Sequence, residues 1–248
     1  VRAAWVIAKR EMLAFFVSPV AYVVLLGWML WSGFQFWMLC AYFAQAMSRG
    51  GSENPLGHFF GGTTLFFIPL LVFVPVMTMR LLAEERRSGT IECLLTAPVT
   101  DAQVVLGKYL AAVVFWLALW APTLMYVWLT SRYGDVDLGA VGASYLGILG
   151  IGLYYMAIGT LMSAVSRNQI VAAILTFMVL GFLFLVGILE FVFQDSEYRA
   201  VFTYVSVWGH MDAFSKGIVD TRFLVFDLST AALALYLAVR ALGARKGA

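Results

Sequence analysis

The sequence predicts an all-α polytopic membrane protein, a single domain over 1–248 forming a six-helix transmembrane bundle with an N-terminal interfacial helix and one ordered helical segment on the cytosolic side. Three observations predict it. Apolar residues make up 62% of the chain and charged residues only 12%, against roughly 45–50% and 25% in soluble domains. That is more apolar surface than a soluble chain of this size has interior for. Charge-free runs cover 12–48, 54–79, 109–131, 138–166 and 168–189, each longer than the roughly 20 residues that cross a ~30 Å hydrocarbon core. Finally, lysine and arginine are spread unevenly over the connecting segments.

Taken in order, Trp5, Ala8, Met12, Phe15 and Phe16 share a helical face, with Arg2, Lys9 and Arg10 off it. This predicts a helix along the inner leaflet that turns into the membrane at Ser18-Pro19. Five spans follow at about 20–44, 59–79, 108–130, 142–164 and 169–190, and a sixth at 223–241 has Asp227 near one end. The first is too long for a signal-peptide core and no small-residue cleavage site follows it, so it is expected to remain as an anchor. Pro69, Pro75 and Pro122 free backbone carbonyls and kink their helices. The fourth span is rich in glycine (Gly142, Gly147, Gly150, Gly152, Gly159), and its pairs Ala143/Gly147 and Gly159/Ser163 suit close helix packing. The segment 191–222, with Trp208, Phe214 and Ile218 among polar residues, predicts short helices at the outer interface.

With both termini in the cytosol, eleven of the sixteen basic residues fall on that side: Arg2, Lys9, Arg10, Arg80, Arg86, Arg87, Lys108, Arg167, Arg240, Arg245 and Lys246. The positive-inside rule selects this orientation. A net charge of +2 without a basic run argues against nucleic acid as a partner. Cys40 falls inside the membrane and Cys93 on the cytosolic side, so they are not expected to form a disulfide framework.

The cytosolic segment 80–108, RLLAEERRSGTIECLLTAPVTDAQVVLGK, holds the densest charge cluster. Arg80/Glu84 and Glu84/Arg87 are spaced to pair along a helix continuing from the second span, which Gly89 interrupts. Thr90 is placed to cap a second short helix, Glu92 sits in its first turn, Ile91, Leu94 and Leu95 form its apolar face, and Pro98 ends it. Thr100-Asp101-Ala102-Gln103 matches a capping box at the start of the third span. An apolar face with a charged flank suits docking of a partner protein.

The string AEERRSGTIECLL-x-x-P, followed by Gly107-Lys108, resembles ABC-2 type exporter permeases. The segment His210 to Arg222, HMDAFSKGIVDTR, is similar to the gliding-motility-associated and copper-maturation-type branch of that family. The resemblance implies that the element between spans two and three is a coupling helix seated on an ABC ATPase subunit. Its residues are then Glu84, Glu85, Arg86, Arg87, Gly89, Thr90, Glu92, Leu94, Leu95 and Pro98. It further implies a second permease half, identical or related, and a bacterial inner-membrane location. A pathway lined by Met, Phe and Gly suits an amphipathic or lipid-linked substrate, or force transmission with no substrate. The chain has no GxxxxGK[ST] loop, so ATP and Mg²⁺ are expected on the partner, with no cofactor and no catalytic residue here.

Two rival readings have residues attached. Gly142-Ala143-Ser144 resembles the nucleophile motif of rhomboid intramembrane proteases, but Tyr145 replaces the second glycine and His58 and His210 both fall in outer segments. Neither the histidines nor the cysteines have metal-ligand spacing. An ion-coupled secondary transporter or channel would need ionisable groups near mid-membrane. Glu190 and Asp227 are the nearest carboxylates, and both read, like the two histidines, as interface residues.

Overall fold

The computed structural model describes residues 2–47, 55–87, 99–192 and 199–244, and every regular element among them is helical. Helix α1 is Arg2–Val17 and α2 is Pro19–Met47. The bend between them falls at Ser18, where Pro19 has no N–H to continue the first helix. A single turn at Pro55–Gly57 and a π turn at His58–Gly62 lead into α3, Thr64–Thr78, followed across a turn by α4, Ala83–Arg87. Then come α5 (Asp101–Trp120), a 3₁₀ turn at Ala121–Thr123, α6 (Leu124–Tyr133), α7 (Leu138–Val165) and α8 (Gln169–Val192). Two short helices, α9 (Arg199–Val205) and α10 (Val207–Ser215), precede α11 (Thr221–Gly243).

Among the described residues, five helical stretches are long and apolar enough to cross a membrane: Pro19–Gln45, Asp101–Tyr133, Leu138–Val165, Gln169–Glu190 and Thr221–Gly243. This is an all-α polytopic membrane protein. The expected second span, 59–79, is the exception to a simple reading. Its α-helical part, α3, has 15 residues, about 22 Å at 1.5 Å per residue, and a π turn precedes it. The polar groups of this irregular stretch find partners on α2. Gln35 of α2, 3% exposed, donates to the carbonyl of Phe59 and to the Thr63 hydroxyl, both at 3.2 Å. Trp31 donates to the carbonyl of Leu65 at 3.0 Å.

The helix that carries the third span starts at the expected capping box, ahead of the expected span 108–130. The Thr100 capping box is formed in both directions, Gln103 N–H to the Thr100 hydroxyl and Thr100 N–H to the Gln103 side chain, so α5 begins at Asp101. Pro122 converts the backbone to the 3₁₀ turn without ending the span.

Helix α7 is the axis of the bundle, and its glycines explain why. Side chains from three directions occupy the space their Cβ atoms would need: Trp116 of α5 at Gly152, Thr78 of α3 at Gly159, and Asp227 of α11 at Gly150. Trp116 is fully buried there and donates to the carbonyl of Ile148 at 3.2 Å. The rest of the core is largely aromatic, with Trp28 on Trp120 (4.5 Å between centroids) and Phe36 stacked on Tyr126 (4.7 Å).

Segment 191–222 does contain short helices. Trp208 of α10 packs on Phe67 of α3 (4.5 Å) and Phe184 of α8 (5.5 Å), and Phe214 meets α7 at Gly147. Gly217, at φ 80°, makes the turn toward α11, a conformation that suits a residue without Cβ.

Candidate functional site

At the end of the bundle that carries both termini, four charged side chains from three separate elements meet. Lys108 of α5 is 2% exposed and places its Nζ 2.9 Å from Glu85 Oε1 of α4 and 3.2 Å from Glu11 Oε1 of α1. Arg10 completes the group, 2.9 Å from Glu11 and 3.7 Å from Glu85. Two positive and two negative charges balance, which is what permits a lysine to be buried there. Burial opposes the ionisation of Glu11, but Lys108 and then Arg10 outweigh it and hold the carboxyl below its ordinary value.

The neighbouring glycine belongs to the same design. A Cβ at Gly107 would lie 2.8 Å from Ile7 and 2.9 Å from the carbonyl oxygen of Ala4. Gly107 therefore lets α1 lie directly across α5, and Lys108 fixes it there by Glu11. Phe15 stacks on Phe115 of α5 at 5.4 Å, and Phe16 meets the same ring edge-on at 5.6 Å. Of the face expected for α1, Ala8 is buried and Phe15 and Phe16 pack on α5, while Trp5 is 63% exposed. Ala4, Ile7 and Glu11 turn inward beside them. Hydrophobic spacing alone gave no weight to a carboxylate on the packed face.

Helix α4 is held from a second side. Ser163 of α7, fully buried, accepts from the backbone N–H of Leu82 (3.0 Å) and Ala83 (3.1 Å) and donates to the carbonyl of Met79 (3.2 Å). It thus supplies from another helix the partners that the ends of α3 and α4 lack within themselves. Across the same turn Arg80 Nε donates to Glu84 at 3.2 Å, the expected i, i+4 pair, and its Nη1 donates to the Ser18 hydroxyl at 2.9 Å. A groove lined by Glu11, Phe15, Ser18, Arg80, Glu84 and Lys108 opens between these elements.

Of the residues expected to couple to a partner, Glu84, Glu85 and Arg87 are therefore on α4, with Glu85 at the centre of the cluster. Arg86 is placed only by its backbone in α4. Gly89, Thr90, Glu92, Leu94, Leu95 and Pro98 lie outside the described residues, as does Cys93. Sequence reasoning missed Glu11 and Ser163. An acidic residue in an otherwise basic amphipathic helix was the available signal for the first. The second was indistinguishable from a small packing residue.

The sequence also matches a family model. The model is that of the ABC-2 family transporter protein, over residues 11–206. The chain belongs to the ABC-2 family. No curated protein matches it. The family match begins at Glu11 of the charge cluster, contains Glu85, Lys108 and Ser163, and ends before the segment His210 to Arg222. An ABC-2 permease is the membrane component of an ABC transporter, and this one presents its ion-paired cluster where three elements converge at the termini end.

The residues of the rival readings are otherwise occupied. The Ser144 hydroxyl donates to the carbonyl of Ala140 at 2.8 Å and faces that of Phe214 at 3.5 Å, which makes it part of the packing of α10 on α7. Among the described residues no group of His, Cys, Asp or Glu is arranged to hold a metal. His210 and Asp227 correct the expectation of interface residues. Both are fully buried, and they face each other at 3.3 Å.

Proposed function

We propose that this ABC-2 chain is the permease subunit of an ATP-driven exporter in the bacterial inner membrane, one half of a homo- or heterodimer, with both termini and the charge cluster in the cytosol. A separate ATPase subunit binds ATP and Mg²⁺ and seats on the segment that α4 opens. Its substrate is amphipathic or lipid-linked, or the bundle delivers mechanical work.

The observation that carries this reading is the Lys108–Glu85–Glu11 clamp. Any push on the segment beyond Arg87 reaches Glu85, and from there both the third span by Lys108 and the interfacial helix by Glu11. The same push reaches α7 by Ser163. Residues 1–248 carry no phosphate-cradling loop, which supports the reading that an ATPase subunit supplies the movement.

Co-purification with an ATPase subunit, together with substrate-stimulated ATP hydrolysis, tests the proposal. Leu94→Asp is expected to abolish association, and Glu85→Ala to leave association measurable while reducing stimulation at least several-fold. Transport by the isolated chain under an ion gradient would overturn it.

A further inference from the structure

The groove between the end of α1 and the turn that joins α3 to α4 has a volume of about 220 Å³. Sites that enclose a drug-sized ligand run to ~300–1,000 Å³, so this one has room for a small polar group and not for a whole amphiphile. Ala14, Phe15 and Leu81 form its apolar wall, facing Ser18, Arg80 and Glu84.

The groove stands beside lipid. Trp5, Val6, Leu13 and Val17 of α1 are between 55% and 78% exposed, with Lys9 and Arg10 exposed next to them. A helix of this kind lies in the interface plane of a bilayer. Ala14, exposed on the same helix, belongs to the groove wall, which puts the groove at the level of the headgroups.

The charges decide which headgroup fits. Lys108 is 2% exposed and held between Glu11 and Glu85, themselves only 16% and 15% exposed. What a ligand meets is Arg80, 33% exposed, and Glu84, 47% exposed, 3.2 Å apart. An ion pair this open to solvent is weak, so both members can turn to a ligand. The bond from Arg80 to the Ser18 hydroxyl at 2.9 Å holds the guanidinium at the groove, and its planar fork matches the geometry of a phosphate. Glu84, acceptor-only when ionised, suits an ammonium. With Arg10 set against Glu11 from outside the lining, cations and carboxylates balance. A net-negative headgroup therefore finds no surplus of cations, whereas a zwitterion laid antiparallel to the Arg80–Glu84 pair meets each charge with its opposite.

We propose that this groove seats the headgroup of a phospholipid with a primary ammonium, of the phosphatidylethanolamine kind. Its phosphate rests on Arg80 and Ser18, its ammonium on Glu84, and its acyl chains stay in the bilayer beside α1. The seated lipid ties the bend at Ser18 to the turn before α4. This assignment does not depend on an ATPase partner.

Native mass spectrometry of the delipidated full chain tests it, by titration with phosphatidylethanolamine, phosphatidylcholine and phosphatidylglycerol of identical chains. The ethanolamine lipid is expected to bind at least several-fold more tightly than either of the others, because the quaternary choline ammonium cannot donate to Glu84 and the glycerol headgroup carries no cation. Glu84→Gln should bring it down to the level of phosphatidylcholine and leave phosphatidylcholine unchanged. Arg80→Gln should weaken both. Ala14→Trp fills the groove without touching its charges and should abolish the preference, which covers the case in which a charge variant fails to fold. Equal binding of the three lipids, tighter binding of phosphatidylglycerol, or a preference that survives Glu84→Gln or Ala14→Trp would overturn the proposal. So would competition by soluble glycerophosphoethanolamine as strong as that by the lipid, which would mark the site as one for a free zwitterion.

Discussion

Lys108 decides the character of the termini end, because it is the buried member of a cluster whose carboxylates keep some contact with solvent. Replacing it by methionine fills the volume but leaves Glu11 and Glu85 facing each other. Removing one partner of a buried ion pair costs about 3–5 kcal/mol, so Lys108→Met should lower the thermal midpoint markedly. The triple change Lys108→Met, Glu11→Gln and Glu85→Gln should recover most of the loss, as a melting series would record. The pH dependence of the same cluster has a definite sign. Glu11 is held below its ordinary value, so its contribution is fully present above about pH 4.3 and is lost as pH falls through its lower value in the folded protein. Acid melting of wild type against Glu11→Gln should show the variant less stable near neutrality, with the gap closing in acid. Much of this was legible: Glu85 and Lys108 stand out by charge within an apolar chain. Their meeting with Glu11 was not, since it depends on an arrangement of three elements that no local spacing encodes.

Among the elements, α4 is the one whose start rests on another helix. The N-terminal backbone of its described residues, Ala83–Arg87, depends on Ser163. Ser163→Ala leaves two buried N–H groups unpaired, each worth about 1–3 kcal/mol. It should release α4 while the long spans hold, read as faster amide exchange over 82–87 and weaker stimulation of the partner ATPase. The helices themselves were mostly readable in order and extent, because charges and proline punctuate the chain. The start of α5 was readable to the residue from its capping box. The break before α3 was not, since the glutamine that satisfies the π turn lies on α2 and only the folded bundle brings them together.

For the whole molecule, α3, α5, α10 and α11 lean on α7 through the gaps its glycines leave. Gly152→Val would drive two methyl groups into the indole of Trp116. Overpacking of this kind costs typically 1–3 kcal/mol and often more where backbone cannot shift. Loss of the monodisperse peak on size exclusion, with α5 and α7 losing exchange protection together, is the expected outcome. Glycine enrichment in the fourth span announced close packing, but the sequence did not say that one helix receives neighbours from several sides.

The seat of α1 carries a consequence for biogenesis. The helix that leaves the ribosome before the spans docks on Gly107 and Lys108 and against Glu85, all of which emerge later. Until the third span is in place, α1 has no groove to lie in, and Glu11 has only its neighbour Arg10 as a counter-charge. Its attachment is therefore a checkpoint: a nascent chain halted short of Lys108 should leave α1 open to protease, and one extended past the third span should protect it.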